Sequence, residues 1–455
     1  MSGPGLKSRL SGVRDGLRTQ LWPIPVVGVV LGLACGVGLP RLDAHVDDDL
    51  PAAVTNYLFG GGASAARTLL GAVSGSLITV TSLTFSLTVL TLQLASSQFS
   101  PRLLRTFARD RFVHYTLALF LGTFSYALAV LRTVRDAGDR QALFVPQISV
   151  TVAFALGVAS VVGLVLFLAH LVREIRVETM LRRVRAEAND TVRQILQAHQ
   201  PGSISANGPS APSEAATLSS HGSGFLVGAN EDALLAAALD AEATVRVNCR
   251  PGDFVVDGTP LGVGWPDSGS FDAETLTRLR DHVAAAIATG FERTAANDIG
   301  YGLRQLTDVT VKALSPGIND PTTAVHALSH SSALLCELSR HDLGPRLLRD
   351  ERGQVRVVLA QRGFADLLEL AIAQPRRYGA GDPSVLGRLF ELLRELAWCT
   401  EQPDHRRAVA EQLTRLRATA AAQDFDAAEN ARLDELATQV EHAQAGRWTP
   451  ASGTP

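Results

Sequence analysis

From Leu69 to Leu94 the chain runs without a single charged side chain. A spanning helix needs about 20 mainly apolar residues, and only a helix or a closed barrel satisfies its own backbone inside lipid. Three further stretches meet that length, Leu21–Leu39, Tyr115–Leu131 and Ile148–Val172. The chain therefore reads as a protein with four membrane spans. The overall hydrophobic content of 46% is high for a purely soluble protein, and the excess sits almost entirely before Arg173.

The second span has a feature that spanning alone does not require. Thr81, Thr84, Thr88 and Thr91 recur at steps of three and four and line one helix face. Ser74, Thr79, Ser82 and Ser86 widen the polar surface. Single hydroxyls are tolerated in lipid because they bond back to the helix's own carbonyls. A stripe of them is either a packing seam, worth about 0.6 kcal/mol per interhelical hydrogen bond, or the wall of a wet passage. The second reading makes these four threonines pore-lining, and it needs several copies around an axis, since four spans cannot both pack together and enclose a pore.

Flanking charge orients the spans. Lys7, Arg9, Arg14 and Arg18 precede the first; Arg102, Arg105, Arg109 and Arg111 separate the second from the third; Arg173, Arg176, Arg182, Arg183 and Arg185 follow the fourth. The positive-inside bias puts all three clusters, and both termini, in the cytoplasm. The loop after the first span, with Asp47, Asp48 and Asp49, is then external. A cleaved signal peptide would expose the basic loop instead, and Gly32-Leu33-Ala34 before Cys35 does not match a lipobox. Arg102, Arg105 and Arg109 share a face just after Pro101, placing them among lipid head groups or at the inner mouth of a pore.

The cytoplasmic part divides by composition. Residues 1–20 form an N-terminal segment, 21–172 the membrane domain, and 173–222 a solvated stalk helix followed by a Gly/Ser/Pro-rich linker. Residues 223–268 alternate strand and turn signals around one short helix, a small α+β unit. Residues 269–445 read as helical throughout, and 446–455 as a disordered tail. The expected fold is an α-helical integral membrane protein with a mainly α cytoplasmic domain containing a small β unit. The net charge of −3 leaves no nucleic-acid footprint. The four cysteines show no C-x-x-C spacing, so no disulfide framework or zinc site is indicated.

Two strings, QLASSQFSPRLLRTFARDRF (Gln93–Phe112) and DIGYGLRQLTDVTVKALSPGINDPTTA (Asp298–Ala324), resemble the signature segments of a bacterial family of membrane proteins, domain of unknown function 2254. PGDFVVDGTPL fits the same pattern between them. The resemblance implies a bacterial inner-membrane protein with a large cytoplasmic domain, and it implies no reaction or catalytic residue.

Asn319, Asp320 and Pro321 form the most distinctive soluble motif. Asp followed by Pro is the grammar of an N-cap with proline at N1, repeated at Asp382-Pro383. Asn319 and Asp320 could alternatively offer oxygens to a cation or a neighbouring subunit. His326 and His330 stand one turn apart without a further ligand pair, which is weak grounds for a metal. Arg293, Asp298, Arg304, Gln305 and Asp308 make a dense polar run, read as salt-bridged helix surface or a subunit interface. There is no G-x-S-x-G, Walker A or strand-linked G-x-G-x-x-G sequence, so no catalytic residue, metal or cofactor is assigned.

The leading functional expectation is a homo-oligomeric, channel-like protein in the lipid bilayer that passes small ions, cations favoured by the Asp47–Asp49 cluster. The alternative is a membrane-anchored sensor or scaffold whose cytoplasmic domain binds a partner or ligand.

Overall fold

The computed structural model describes residues 22–46, 58–98, 110–135, 144–174, 176–197, 208–295 and 297–448. It divides into two compact units, the first ending at Arg176 and the second beginning at Val177. The Asp47–Asp49 cluster and Arg102, Arg105 and Arg109 lie outside the described residues.

The first unit holds four helices long and apolar enough to cross a membrane. They are α1 (Pro23–Val46), α2 (Ala63–Gln98), α3 (Arg111–Leu131) and α4 (Gln147–Glu174). Each covers one of the four apolar stretches, and α1 continues past Leu39 with Pro40 inside it. That extension carries Asp43 into the packed end of the unit, where it is fully buried. Its Oδ1 accepts the Ile148 N–H at 3.1 Å, and its Oδ2 accepts the Ser149 N–H at 2.9 Å and the Ser149 hydroxyl at 2.5 Å. These N–H groups belong to the first turn of α4, which has no partners for them within its own helix. Asp43 thus caps α4 from another helix. Tyr126 of α3 donates its hydroxyl to the Ser149 carbonyl at 3.0 Å, so three helices meet there.

α1 and α3 approach most closely. Gly28, Gly32 and Gly36 recur every fourth residue along α1 and face α3. A Cβ at Gly28 would lie 2.6 Å from the Ala118 carbonyl oxygen, and one at Gly36 the same distance from the Ala129 Cβ. At Gly32 it would overlap the Gly122 carbonyl. Small residues at such a spacing let two backbones touch, which is how helices gain dispersion energy in lipid. Val26, Val27, Val30 and Leu31 are exposed, a surface suited to acyl chains.

The threonine stripe of α2 lies within this unit. Thr84, Thr88 and Thr91 are buried and Thr81 partly so. The hydroxyls of Thr81, Thr88 and Thr91 donate to the carbonyls of Leu77, Thr84 and Leu87 at 2.7, 2.8 and 2.8 Å. Leu83, Leu90 and Leu94 are exposed, whereas Leu87 packs against Val113, Leu117 and Phe167. Within one copy of the chain the stripe faces the neighbouring helices.

The second unit opens with α5 (Val177–Gln197), the segment expected to be a solvated stalk. Instead Met180, Leu181, Val184, Ala188 and Val192 are buried, against α8 (Tyr301–Ala313) and α9 (Pro321–Leu338). These apolar residues step by three and four beneath the Arg/Glu pattern, and that period makes an amphipathic, docked helix. At the crossing with α8, Gly302 leaves no room for a Cβ beside Ala188.

A five-stranded sheet follows, in the order β1-β5-β3-β8-β7. Its strands are β1 (Ala216–Ser219), β3 (Ala243–Val247), β5 (Pro260–Pro266), β7 (Arg346–Arg349) and β8 (Val355–Leu359). A three-stranded sheet has the order β4-β2-β6, with β2 (Gly224–Ala229), β4 (Phe254–Val255) and β6 (Ile287–Gly290). All pairings are antiparallel except β3 with β8, where Val245 sits opposite Val357. α6 (Glu231–Asp240) and α7 (Ala273–Ala286) cover the larger sheet, packing Leu234, Ala238, Leu279 and Val283 on Val245, Val247 and Val357. The rest is helical: α10 (Phe364–Tyr378), α11 (Pro383–Cys399), α12 (Pro403–Ala421) and α13 (Ala427–Gln444).

Two expectations are corrected here. The region after residue 269 is not helical throughout, because β6, β7 and β8 come from it. The β-branched run of β8 pairs with β3, and Asp350 turns the hairpin by accepting the Arg352 and Gln354 N–H groups, each at 2.9 Å. The linker up to 222 also contains β1, whose hydrogen bonds come from β5 and not from its own composition.

Candidate functional site

β3 ends in the turn Cys249-Arg250-Pro251-Gly252-Asp253. Asp253 closes it by accepting the Arg250 N–H at 3.0 Å. Gly252 has φ +85°, and any Cβ there would collide with Arg293 and Asp298. Only glycine both adopts that φ without strain and lets the backbone lie against the ion pair. Arg293 Nε donates to Asp298 Oδ2 at 2.5 Å, and Asp298 Oδ1 accepts the Gly300 N–H at 3.0 Å just before α8. Arg362 reaches Asp253 at 2.9 Å, and Arg250 reaches Asp366 in the first turn of α10 at 2.9 Å. The PGDFVVDGTPL and DIGYGLRQL segments are thus brought together with residues 362–366. Asp298 is 3% exposed, so this part of the polar run is a buried joint. Arg304 and Asp308 form the expected i, i+4 pair at 3.5 Å, while Gln305 is buried.

Beside this joint, at the carboxyl ends of the parallel strands β3 and β8, lies a cavity of about 210 Å³. Ala360, which donates to the Val247 carbonyl at 3.0 Å, forms part of its wall. Leu226, Ile195 and Ile287 contribute apolar surface, and Gln194, Asn297 and Gln361 contribute carboxamides. Glu231 and Arg346 line it as an ion pair. Burial holds the Glu231 carboxyl above its usual range, partly opposed by Arg346. Arg346 Nε is buried with no partner among the described residues, and so are Arg293 Nη2 and Arg362 Nε nearby. A buried donor left unsatisfied costs about 1–3 kcal/mol, so the arrangement favours an acceptor arriving from outside. Cys249 also lines the cavity, and burial followed by the Asp253 charge pushes its thiol up. It stays protonated at neutral pH and is a poor nucleophile.

Asn319, Asp320 and Pro321 lie in a different place, at the start of α9. Asn319 takes φ +49°, a conformation asparagine tolerates better than most residues. Asp320 accepts the Thr323 N–H at 3.0 Å and its hydroxyl at 2.5 Å, the N-cap arrangement. These bonds to Thr323, hydroxyl first, hold the Asp320 carboxyl below its usual value. Asp320→Ala is expected to cost about 0.5–2 kcal/mol, with Asp320→Ser and Asp320→Asn largely tolerated. A folded-state pKa below the unfolded one stabilises above the unfolded value and is lost as pH falls through the folded one. The advantage of wild type over Asp320→Asn should therefore shrink below about pH 4 in thermal unfolding; an advantage that grows there contradicts the assignment.

His326 is exposed and His330 half-buried, and among the described residues no third His, Cys, Asp or Glu joins them. Burial, then Arg185 and Arg182, hold the His330 imidazole below its usual value. Spacing could not have shown the one group that, among the described residues, does gather three such residues, Asp110, His170 and Glu174. Nor did sequence reasoning find Arg346, Glu231 or Gln194, whose proximity depends on strand pairing.

A family model described as a predicted membrane protein, domain of unknown function 2254, matches residues 18–395. Uncharacterized proteins of Mycobacterium bovis and Mycobacterium tuberculosis are each 35% identical over 421 residues, covering 91% of this chain and 78% of theirs. No solved structure matches the chain. The chain belongs to this family of membrane proteins.

Proposed function

We propose that the protein is a membrane-anchored, non-enzymatic sensor whose second unit binds a small polar ligand carrying an anionic group. The observation that carries this reading is the cavity at the ends of β3 and β8, with the partly unsatisfied Arg346 paired to Glu231 on its wall. In open α/β sheets the crevice beyond the carboxyl ends of parallel strands is the common ligand position. A carboxylate or phosphate oxygen would satisfy Arg346, and Glu231, released from the pair, would receive an amine or hydroxyl. The basic clusters favour an inner-membrane location with this unit in the cytoplasm. The channel reading draws less support, because the hydroxyls that would line a pore are turned into the first unit.

The test is thermal unfolding of the full chain in nanodiscs against acetate, glycine, aspartate and inorganic phosphate. At 100 times its Kd a true ligand adds about 2.7 kcal/mol, a shift of several degrees. Arg346→Gln should erase that shift. No shift with any of these probes, together with a sodium, potassium or chloride flux in proteoliposomes that Thr84→Leu abolishes, would return the chain to the channel reading.

A further inference from the structure

We propose that Asp110, His170 and Glu174 form a binding site for a divalent first-row transition cation. Asp110 is the N-cap of α3, and His170 and Glu174 stand one turn apart near the end of α4. One ligand atom from each lies within 4.8 Å of the others. Ligands about 2.0–2.2 Å from a common metal stand roughly 3.3–3.6 Å apart in a tetrahedron, so the 2.5 Å His170–Asp110 contact must open and Glu174 close in by about 1 Å, within reach of side-chain rotation.

The three residues are withdrawn from the surface: the side chains of His170 and Asp110 are 19% and 14% exposed, and Glu174 is 9% exposed. His170 Nε2 already points at Asp110 Oδ2, at 2.5 Å. The other oxygen, Oδ1, accepts the Phe112 N–H at 2.9 Å, which fixes the carboxylate. The Phe112 ring lies 4.6 Å from that of His170 and limits its rotation. The neighbouring Arg173 turns its Nε back onto the Ala169 carbonyl.

One imidazole nitrogen with two carboxylate oxygens suits zinc, manganese or iron(II) better than calcium or magnesium. The cation would take the place of the proton between His170 and Asp110, which moves to Nδ1 or to solvent. Three protein ligands leave at least one position open, the pattern of an exchangeable site and not of a closed structural one. A cation there ties the start of α3 to the end of α4.

The test uses the full chain in mild detergent, purified through a tag without histidine. It is dialysed against Zn²⁺ or Mn²⁺ and the bound metal counted by mass spectrometry; Co²⁺ loading is followed by its visible absorption. Wild type should hold one more cation per chain than His170→Gln or Glu174→Gln, with affinity lowered at least about tenfold in each, since even outer partners of a metal site are worth that much. His170→Gln retains a donor for Asp110. If it fails to fold, Glu174→Gln keeps the Asp110–His170 contact and decides the question. His326→Gln should leave the count unchanged. Equal metal content and equal Co²⁺ spectra in wild type and a folded variant would overturn the proposal.

Discussion

Replacing Gly32 with leucine should dismantle the membrane unit. The new Cβ would overlap the Gly122 carbonyl, which is backbone and cannot rotate away. The helices must separate, and every contact between Gly28 and Gly36 along the seam is lost with them. Overpacking typically costs about 1–3 kcal/mol, and a seam forced apart along its length belongs at or above the upper end. Gly32→Ala should follow at smaller cost. Gly38→Leu is the control, because a Cβ at that position of α1 has nothing within 4 Å. The measurement is the fraction of protein that stays monodisperse in detergent after graded heating. Equal survival of Gly32→Leu and Gly38→Leu would mean that α1 and α3 do not pack as described.

Asp43→Ala should be the most damaging polar substitution in the first unit. It removes the acceptor for the Ile148 N–H, the Ser149 N–H and the Ser149 hydroxyl together. Each buried donor left over costs about 1–3 kcal/mol, with less water to compensate near a bilayer. Three such donors sum to about 3–9 kcal/mol, toward the lower end if the Ser149 hydroxyl turns to another acceptor. Asp43→Asn keeps one acceptor oxygen and should lose about half of that; the favourable charge at the start of α4 goes as well. Unfolding of both variants against wild type in one detergent gives the comparison. A loss under about 0.5 kcal/mol for Asp43→Ala would show that water serves those donors equally well.

The four spans were legible because lipid imposes a length and an apolar composition that few other structures share. Their ends were less so. Pro40, Arg41 and Asp43 look like the close of a helix, yet α1 runs through them and Asp43 turns inward to serve α4. The threonine period was visible in the sequence, but a helical period defines a face without defining what that face meets. The fourfold glycine spacing at Gly28, Gly32 and Gly36 was equally visible, and its meaning depended on Ala118 and Gly122 opposite it. In the second unit Asp320 could be assigned because capping is local. β7 and β8 could not, being four and five residues long and stabilised by pairing with distant strands. The cavity inherits that difficulty, as its walls come from α5, β2, α6, β3, β6, β7 and the end of β8 with the two residues that follow it.

The parallel pairing of β3 with β8, Val245 against Val357, has a consequence in time. A ribosome releases β3 well before β8 exists. During that interval one edge of β3 carries unpaired amides, a template open to any passing strand. Contacts so far apart along a chain form late, after the cost of closing the loop between them has been met. The last wall of the cavity, Leu359 to Gln361, is added in the same step. On the proposed sensor reading, a nascent chain is therefore blind to its ligand until the sheet has closed, and binding would report that synthesis has passed that point.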